Sequence, residues 1–271
     1  MIVFRVLVLA VLGAVTVAAV RLLILRSLDL IGERLQLDSK AMGQILGYAT
    51  SLPELVVVIA SAWAGVFDAG FWNIASSNII NWVLFLAALI FYRQYRDLGT
   101  RAFFDELAFG VVSVAIPVTM ATTGVTLSTA TAIGLIGLFI VYKLLDRVLN
   151  RRIVRPEPRP NTSARGSLAR GLIGLAAGIV VIAVCGSLIG RTASTLINEI
   201  GVPAWMVGWI LGFVTSVPEM SSFFGIYAIH KQRGTLAETE DTQESLDTLI
   251  ASNMSNLGII LPVGVLVLNL L

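Results

Sequence analysis

Long apolar runs alternate with short polar segments along the whole chain. An apolar run of about 17 to 25 residues is long enough to cross a bilayer as an α-helix. The pattern predicts eight such helices, with approximate limits of 3–25, 41–64, 71–92, 105–123, 126–148, 168–190, 203–229 and 248–270. We therefore expect an all-α transmembrane protein.

Composition agrees with this interpretation and excludes several classes of protein. Of the 271 residues, 56% are hydrophobic and 13% are charged, whereas soluble domains have about 25% charged residues. The only cysteine, Cys185, excludes an internal disulfide, and the only histidine, His230, leaves no zinc-binding set. The motifs of intramembrane hydrolases are absent from the sequence. We expect a protein that is not an enzyme, has no cofactor and binds no nucleic acid.

The distribution of basic residues predicts the orientation. With eight spans, 17 of the 19 Lys and Arg residues lie on one side of the membrane, and only Arg5 and Arg191 lie on the other. Because basic residues concentrate in cytoplasmic loops, we expect both termini to be outside. The expected location is the plasma membrane, or the inner membrane of a cell that has two.

The segment from Lys143 to Arg170 contains eight basic residues and three prolines, a composition typical of a solvated linker. We expect it to be cytoplasmic and to separate two halves of the chain. The predicted parts are a first half of five helices at 1–149, a basic linker at 150–167, and a second half of three helices at 168–271.

One five-residue motif occurs twice, as Thr50-Ser51-Leu52-Pro53-Glu54 and Thr215-Ser216-Val217-Pro218-Glu219. Superposing 43–54 on 208–219 gives eight identical pairs in twelve, including the Pro-Glu pair, which chance similarity between apolar helices does not produce. The two motif helices are five spans apart and therefore run in opposite directions. This is the inverted-repeat layout of many secondary transporters, whose binding sites lie where the repeats meet.

A shorter repeat follows each motif helix. Ser77-Asn78-Ile79-Ile80-Asn81 in the third helix matches Ser252-Asn253-Met254-Ser255-Asn256 in the eighth. The first serine and the last asparagine of each segment are four residues apart and share a helical face. Each repeat thus offers a hydroxyl, an amide and a carboxylate to a common centre.

These residue types suit a hard cation. A glutamate at mid-bilayer costs roughly 2.5 to 3.5 kcal/mol, so Glu54 and Glu219 are expected to face a protected site. Carboxylate, amide, hydroxyl and carbonyl oxygens are the ligands that Ca²⁺ takes. Each motif proline also removes a helix hydrogen bond and kinks the helix, which frees the carbonyl of Ala49 or Val214.

Charge arithmetic narrows the choice of ion. The two ionised glutamates together carry the charge that neutralises one divalent cation. Without a cation they repel each other, so that a proton or a monovalent ion takes its place.

The alternative is that the motifs only kink and cap helices, with the glutamates bonded to neighbouring helices. The glycine pairs Gly43/Gly47 and Gly208/Gly212 are interpreted as close helix packing.

These repeated motifs resemble the alpha repeats of the cation/Ca²⁺ exchanger superfamily, which includes the sodium/calcium exchangers. The resemblance covers about 41–92 and 203–261. It implies an inverted-repeat transporter fold and antiport by alternating access, with Ca²⁺ and Na⁺ competing at one site. Asn78 and Asn253 match a motif position for which a structural role is an alternative to coordination. The implied ion ligands are Glu54, Glu219, Thr50, Ser51, Thr215, Ser216, Ser77, Asn81, Ser252 and Asn256.

The chain also departs from the family pattern. Asn256 stands where some members carry an aspartate, and Asn73 is matched by Thr248. The family has five helices in each half, so the predicted 5 + 3 arrangement is a shortened fold, a truncated sequence or one completed by a partner. Exchange of Ca²⁺ for H⁺, and a cation-binding regulatory protein that does not transport, remain alternatives to Na⁺/Ca²⁺ exchange. An oligomer or a partner subunit is also left open.

Overall fold

The computed structural model describes residues 2–35, 48–99, 103–149, 168–233 and 240–271. Its described residues form α-helices with short connections and include no strand. We number the helices α1 Ile2–Ala19, α2 Arg26–Arg34, α3 Leu52–Trp63, α4 Phe67–Tyr92, α5 Phe104–Thr123, α6 Thr129–Leu149, α7 Leu168–Ser194, α8 Ala204–Thr215, α9 Val217–Arg233, α10 Glu240–Ser255 and α11 Leu261–Leu270.

Several of these helices are continuous through wider π-helical turns. Val20–Leu25 joins α1 to α2, Thr195–Glu199 extends α7, and Asn256–Ile260 joins α10 to α11. Within the described part of the chain, seven helical stretches are long and apolar enough to cross a membrane, and α3 is a shorter apolar helix. The prediction of an all-α transmembrane fold with about eight helices is therefore confirmed.

The predicted limits of individual spans differ from those observed. The first helical stretch continues to Arg34 instead of ending at 25, and the last begins at Glu240 instead of 248. In the last helix, Asp241, Thr242 and Ser245 are buried, so the helix is packed against its neighbours well before its apolar run begins. The hydropathy pattern cannot find such a start, because it detects only apolar segments. The predicted basic linker at 150–167 lies outside the described residues.

Burial separates central from peripheral helices. In the 18-residue apolar stretch of Asp241–Leu270, 72% is buried within the protein, whereas only 17% is buried in that of Thr129–Val148. The helices therefore surround the span that carries the second Ser-Asn segment. Large apolar side chains such as Phe91, Val111 and Ile133 are exposed on the outer surface, as expected where the protein faces lipid.

Helices α4 and α8 pack closely because two glycines of α8 lie at their contact. A Cβ atom at Gly208 would be 2.8 Å from the carbonyl oxygen of Ala69, and one at Gly212 would be 3.0 Å from that of Asn73. The first distance is shorter than real Cβ contacts and the second is tighter than most of them, so glycine suits this backbone approach at both positions. The packing role predicted for this glycine pair is confirmed; Gly43 and Gly47 lie outside the described residues.

Gly212→Ala is expected to destabilise the protein by about 1 to 3 kcal/mol, the usual cost of overpacking. The new methyl group would press on the backbone of α4 beside Ser77, 3.0 Å from its nitrogen, and move that helix. The measurement is the thermal unfolding midpoint in detergent. Gly225→Ala is the matched control, since a Cβ there meets nothing within 4 Å. Equal midpoints for the two variants would contradict this account of the contact.

Candidate ion-binding site

Both motifs lie at interruptions of their helices. Ser51 (φ −86°, ψ 6°) and Ser216 (φ −81°, ψ 2°) share one non-helical conformation, and the next helix begins directly after each of them. The motif proline is in the first turn of that helix, where its missing N–H costs nothing. The kink predicted from the prolines is therefore confirmed in both repeats.

The break places each glutamate in the first turn of a new helix. Glu54 lies at the start of α3 and Glu219 at the start of α9. The free N–H groups and the dipole of a helix make its N-terminus favourable for negative charge. Both carboxylates are completely buried, and they are close enough to repel each other. The two repeats thus bring their acidic groups to one place inside the protein.

Hydroxyl groups connect the two repeats around these carboxylates. Ser252 donates to Oε1 of Glu219 at 3.2 Å, and its Oγ lies 3.1 Å from that of Ser51. The hydroxyl of Thr50 interacts with the Glu219 carboxylate, and that of Thr215 interacts with Glu54. Each threonine therefore faces the glutamate of the other repeat.

Several oxygens at this centre have no hydrogen-bond donor among the described residues. They are both carboxylate oxygens of Glu54, Oε2 of Glu219 and the hydroxyl of Ser216. A buried charge without a partner costs several kcal/mol, so such groups are normally paired or bound to a metal ion. A cation placed between them would provide the missing partner.

Four asparagines join the repeats in a two-fold pattern. Asn78 Nδ2 donates to the backbone oxygen of Asn253 at 3.3 Å, and Asn253 Nδ2 donates to that of Asn78 at 3.1 Å. Asn81 Nδ2 donates to Oδ1 of Asn253 at 3.0 Å, and Asn256 Nδ2 donates to Oδ1 of Asn78 at 2.9 Å. Swapping Asn78 with Asn253 and Asn81 with Asn256 turns each of these hydrogen bonds into another of the four.

This amide network fixes the orientation of the outer pair of asparagines. The Nδ2 groups of Asn81 and Asn256 point at the partner repeat, and Asn256 also donates to the hydroxyl of Ser77 at 3.4 Å. Their Oδ1 atoms are buried and have no partner in the part of the chain that the structure describes. Two amide oxygens, one from each repeat, are thus left available.

All ten residues predicted as ion ligands are described, and all are buried. Thr50 is 6% exposed, Thr215 is 1% exposed and the other eight are fully buried. Contacts link nine of them across the two repeats. The tenth, Ser216, adjoins Thr215 in the chain, and its hydroxyl has no hydrogen-bond partner among the described residues. The positions agree with the prediction, while the ligand roles stay predictions.

Asn73 is a polar residue at this site that the ligand prediction did not include. It is fully buried, and its Oδ1 accepts a hydrogen bond from Thr215 at 3.3 Å. Its spacing was a usable signal, because Asn73 precedes Ser77 by one helical turn and Asn81 by two, on the same face of α4.

The two carboxylates carry the acidic character of this centre. No group of three or more His, Cys, Asp or Glu side chains is found among the residues described. The other available atoms are neutral oxygens from hydroxyl and amide groups. Ca²⁺ and Na⁺ are hard cations that such oxygens can bind, whereas resident zinc uses Cys and His ligands.

Comparison with known proteins gives one family and one solved structure. The chain resembles the sodium-calcium exchanger NCX_Mj, in a structure of crystals soaked with Na⁺ and Sr²⁺, with a TM-score of 0.50 and 19% sequence identity. The match covers 95% of this chain and 83% of that one, and it shows the fold. A search of the curated proteins finds no match. The family described as sodium/calcium exchanger protein matches residues 4–146 and 170–270, nearly the whole chain. The chain is therefore an integral membrane protein of the sodium/calcium exchanger family, whose members are transporters and not enzymes.

Proposed function

We propose that this protein is a secondary active antiporter that exchanges Ca²⁺ for Na⁺ by alternating access at one central site. The observation that carries the proposal is the pair of buried carboxylates, Glu54 and Glu219, one from each repeat, with three of their four oxygens lacking a donor. Such a pair neutralises one divalent cation or two monovalent cations. One site that accepts either kind of ion, but not both together, is the minimum that exchange requires.

The proposed ligands are the ten residues predicted above. The carboxylates supply the charge, and the hydroxyls of Thr50, Ser51, Thr215 and Ser216 supply neutral oxygens around it. Ser77 and Ser252, with the amide oxygens of Asn81 and Asn256, are the proposed ligands from the neighbouring helices. Neutral ligands are useful in a carrier because the ion must also leave the site.

The two-fold contacts favour a carrier over a static binding protein. Interactions related by the two-fold pattern have similar strengths in either repeat, so the protein can open on either side of the site at comparable cost. Repeats of this kind move against each other as largely rigid bodies around a fixed site in known transporters. We infer that both termini are outside, from the charge distribution, and that the protein resides in the plasma or inner membrane.

The test is ion flux in vesicles. Liposomes that contain the purified protein are expected to take up ⁴⁵Ca²⁺ when the Na⁺ concentration is higher inside than outside. Little uptake is expected when the Na⁺ concentrations are equal. A parallel experiment with a pH gradient tests H⁺ as the coupling ion. Empty liposomes and protein carrying Glu54→Gln with Glu219→Gln are the controls. Uptake equal to that of empty liposomes under both gradients would reject the proposal, and Ca²⁺ binding without flux would favour a regulatory protein.

A further inference from the structure

One basic side chain lies inside a membrane-spanning helix. Arg21 belongs to the first apolar span, at the wider π-helical turn Val20–Leu25. A charged side chain at such a position is costly and rare, and it normally faces a partner group or a water-filled cavity instead of lipid. Arg21 is exposed in the structure, so the surface beside it indicates what its charge does.

Arg21 lines a groove beside the second motif. The groove has a volume of about 420 Å³ and lies between α1 and the break from α8 to α9, with Arg21 on one wall and Val214 and Val217 on the other. All its other lining side chains are apolar. Val217 directly precedes the Pro-Glu pair of its motif, and the Arg21 guanidinium is close enough to Glu219 for the two charges to attract each other. The groove therefore brings a positive charge up to the second carboxylate.

The helices that follow the two motifs are not covered equally. Helix α7 packs closely on α3, since a Cβ atom at Gly190 would be 2.6 Å from the carbonyl oxygen of Ala60. The residue of α9 that corresponds to Ala60 by the offset of the two motifs is Gly225. A Cβ atom there would meet no described atom within 4 Å. Helix α9 is thus the less tightly covered of the two at this position, and the groove lies at its start.

The depth of Arg21 follows from a neighbouring contact. Gly13 of α1 lies against Val214, and the first and seventh predicted spans run in the same direction. Arg21 is about two helical turns beyond Gly13, whereas Glu219 is about one and a half turns beyond Val214. Arg21 therefore lies on the side of Glu219 towards which α9 runs, the cytoplasmic side in the orientation inferred above. A cation that approaches through the groove from that side meets the guanidinium before it reaches Glu219.

We propose that Arg21 is a positioning residue that acts as a tethered cation for the second carboxylate. Its guanidinium attracts Glu219 while the site is empty and opposes any cation that binds between the glutamates. This inference rests on the proposed function, because it assumes that the transported ion binds there. Arg21 thereby stabilises the empty site and favours release of the ion. Because the repulsion is proportional to the charge of the ion, it weakens Ca²⁺ binding more than Na⁺ binding.

The test compares ion binding in variants of this residue. Arg21→Gln is expected to lower the dissociation constant for Ca²⁺ about tenfold and that for each Na⁺ about threefold, since doubling the charge of the ion squares the factor. The measurement is equilibrium binding of ⁴⁵Ca²⁺ and of radioactive Na⁺ to the purified protein, which does not require transport. Arg21→Lys keeps the positive charge and is expected to stay closer to the wild type than to Arg21→Gln for both ions.

Arg26→Gln is the matched control. Arg26 is exposed further along the same helical stretch and does not line the groove. Exposed charges at a distance from the site are largely screened, so this variant should change either constant less than about twofold.

A second readout separates the charge of Arg21 from a purely structural role. Without ions, Arg21→Gln is expected to be more destabilising when residue 219 is glutamate than in a Glu219→Gln background, where the partner charge is gone. The measurement is the unfolding midpoint in detergent with a chelator and without Na⁺. Equal changes in the two backgrounds would overturn the proposal.

The outcomes also separate this inference from the proposed function. If the wild type exchanges Ca²⁺ and Arg21→Gln binds it no more tightly, the inference fails and the antiporter proposal stands. Equal binding by the Lys and Gln variants would likewise overturn the inference, because the charge would then have no effect. If the wild type neither transports nor binds Ca²⁺, both fail.

Discussion

Glu54→Gln and Glu219→Gln are each expected to abolish measurable Ca²⁺ exchange. Glutamine keeps the shape of the side chain and removes its charge, so the fold around it is retained. Removing one partner of a buried ion pair costs about 3 to 5 kcal/mol, which corresponds to a loss of affinity of roughly two to four orders of magnitude. The measurement is the initial rate of Na⁺-driven ⁴⁵Ca²⁺ uptake, together with the unfolding temperature of each variant with and without Ca²⁺.

Neither variant is expected to lose stability when no ion is bound. Without an ion, replacing either glutamate by a neutral side chain removes the repulsion between the two carboxylates, so both variants are expected to be at least as stable as the wild type. Loss of transport with gained or unchanged stability is a combination that misfolding cannot produce. Glu199→Gln is the control, because Glu199 is an exposed glutamate at the end of α7, and its uptake rate should match that of the wild type.

This experiment also decides between the two interpretations left open by the sequence. If the motifs only kink and cap helices, glutamine in place of glutamate would preserve transport. Wild-type uptake by either single variant would therefore support the capping interpretation. Such a result would mean that the proposed function does not depend on the pair of carboxylates.

Much of this fold was predictable because bilayer physics leaves few choices. A membrane-spanning segment must satisfy its backbone within itself, so an apolar run of suitable length becomes a helix. The helix breaks at Ser51 and Ser216 followed from the motif prolines in the same way. A proline removes a defined hydrogen bond, and the sequence position fixes where that occurs.

The candidate site was predictable where the two repeats carry the same residue types. A glutamate is unfavourable in a membrane, and the recurrence of Glu54 and Glu219 in one motif indicates a shared centre. The structure places both at that centre. A duplicated polar motif is informative because chance does not produce the same costly polar residues twice at matching positions.

The contacts between the repeats were not predictable, because they depend on distances that sequence spacing does not encode. Asn78 and Asn253 occur in matching segments, but nothing in the order of residues shows that their amides cross to the opposite backbone. The spacing of Asn73 places it on the face of α4 that carries Ser77 and Asn81, but it does not show that the Asn73 amide meets Thr215. The start of the last helix at Glu240 was missed because burial of Asp241 arises from tertiary packing and not from hydropathy.

Asn78→Ala and Asn253→Ala are expected to have the second largest effects, on stability and transport together. Each substitution removes an amide that donates across the repeats and leaves a buried backbone oxygen without that donor. An unsatisfied buried polar group costs about 1 to 3 kcal/mol, and Asn78 additionally donates to the backbone oxygen of Ser113 at 2.9 Å. Asn78→Ala is therefore expected to be the more damaging of the two. The measurements are the unfolding midpoint in detergent and the uptake of ⁴⁵Ca²⁺.

A double-mutant cycle identifies what these amides contribute. The Asn78 side chain donates to the backbone oxygen of Asn253, and the Asn253 side chain donates to that of Asn78. The two substitutions therefore remove different hydrogen bonds. If the contacts act as one clamp between the repeats, losing the first amide loosens the second, and the double variant loses less stability than the sum of the single variants. Asn269→Ala, an exposed asparagine in α11, is the control and should change stability by less than about 0.5 kcal/mol. Strict additivity would mean that the amides stabilise their own helices independently, and the clamp would then be no part of how the two repeats are held around the ion.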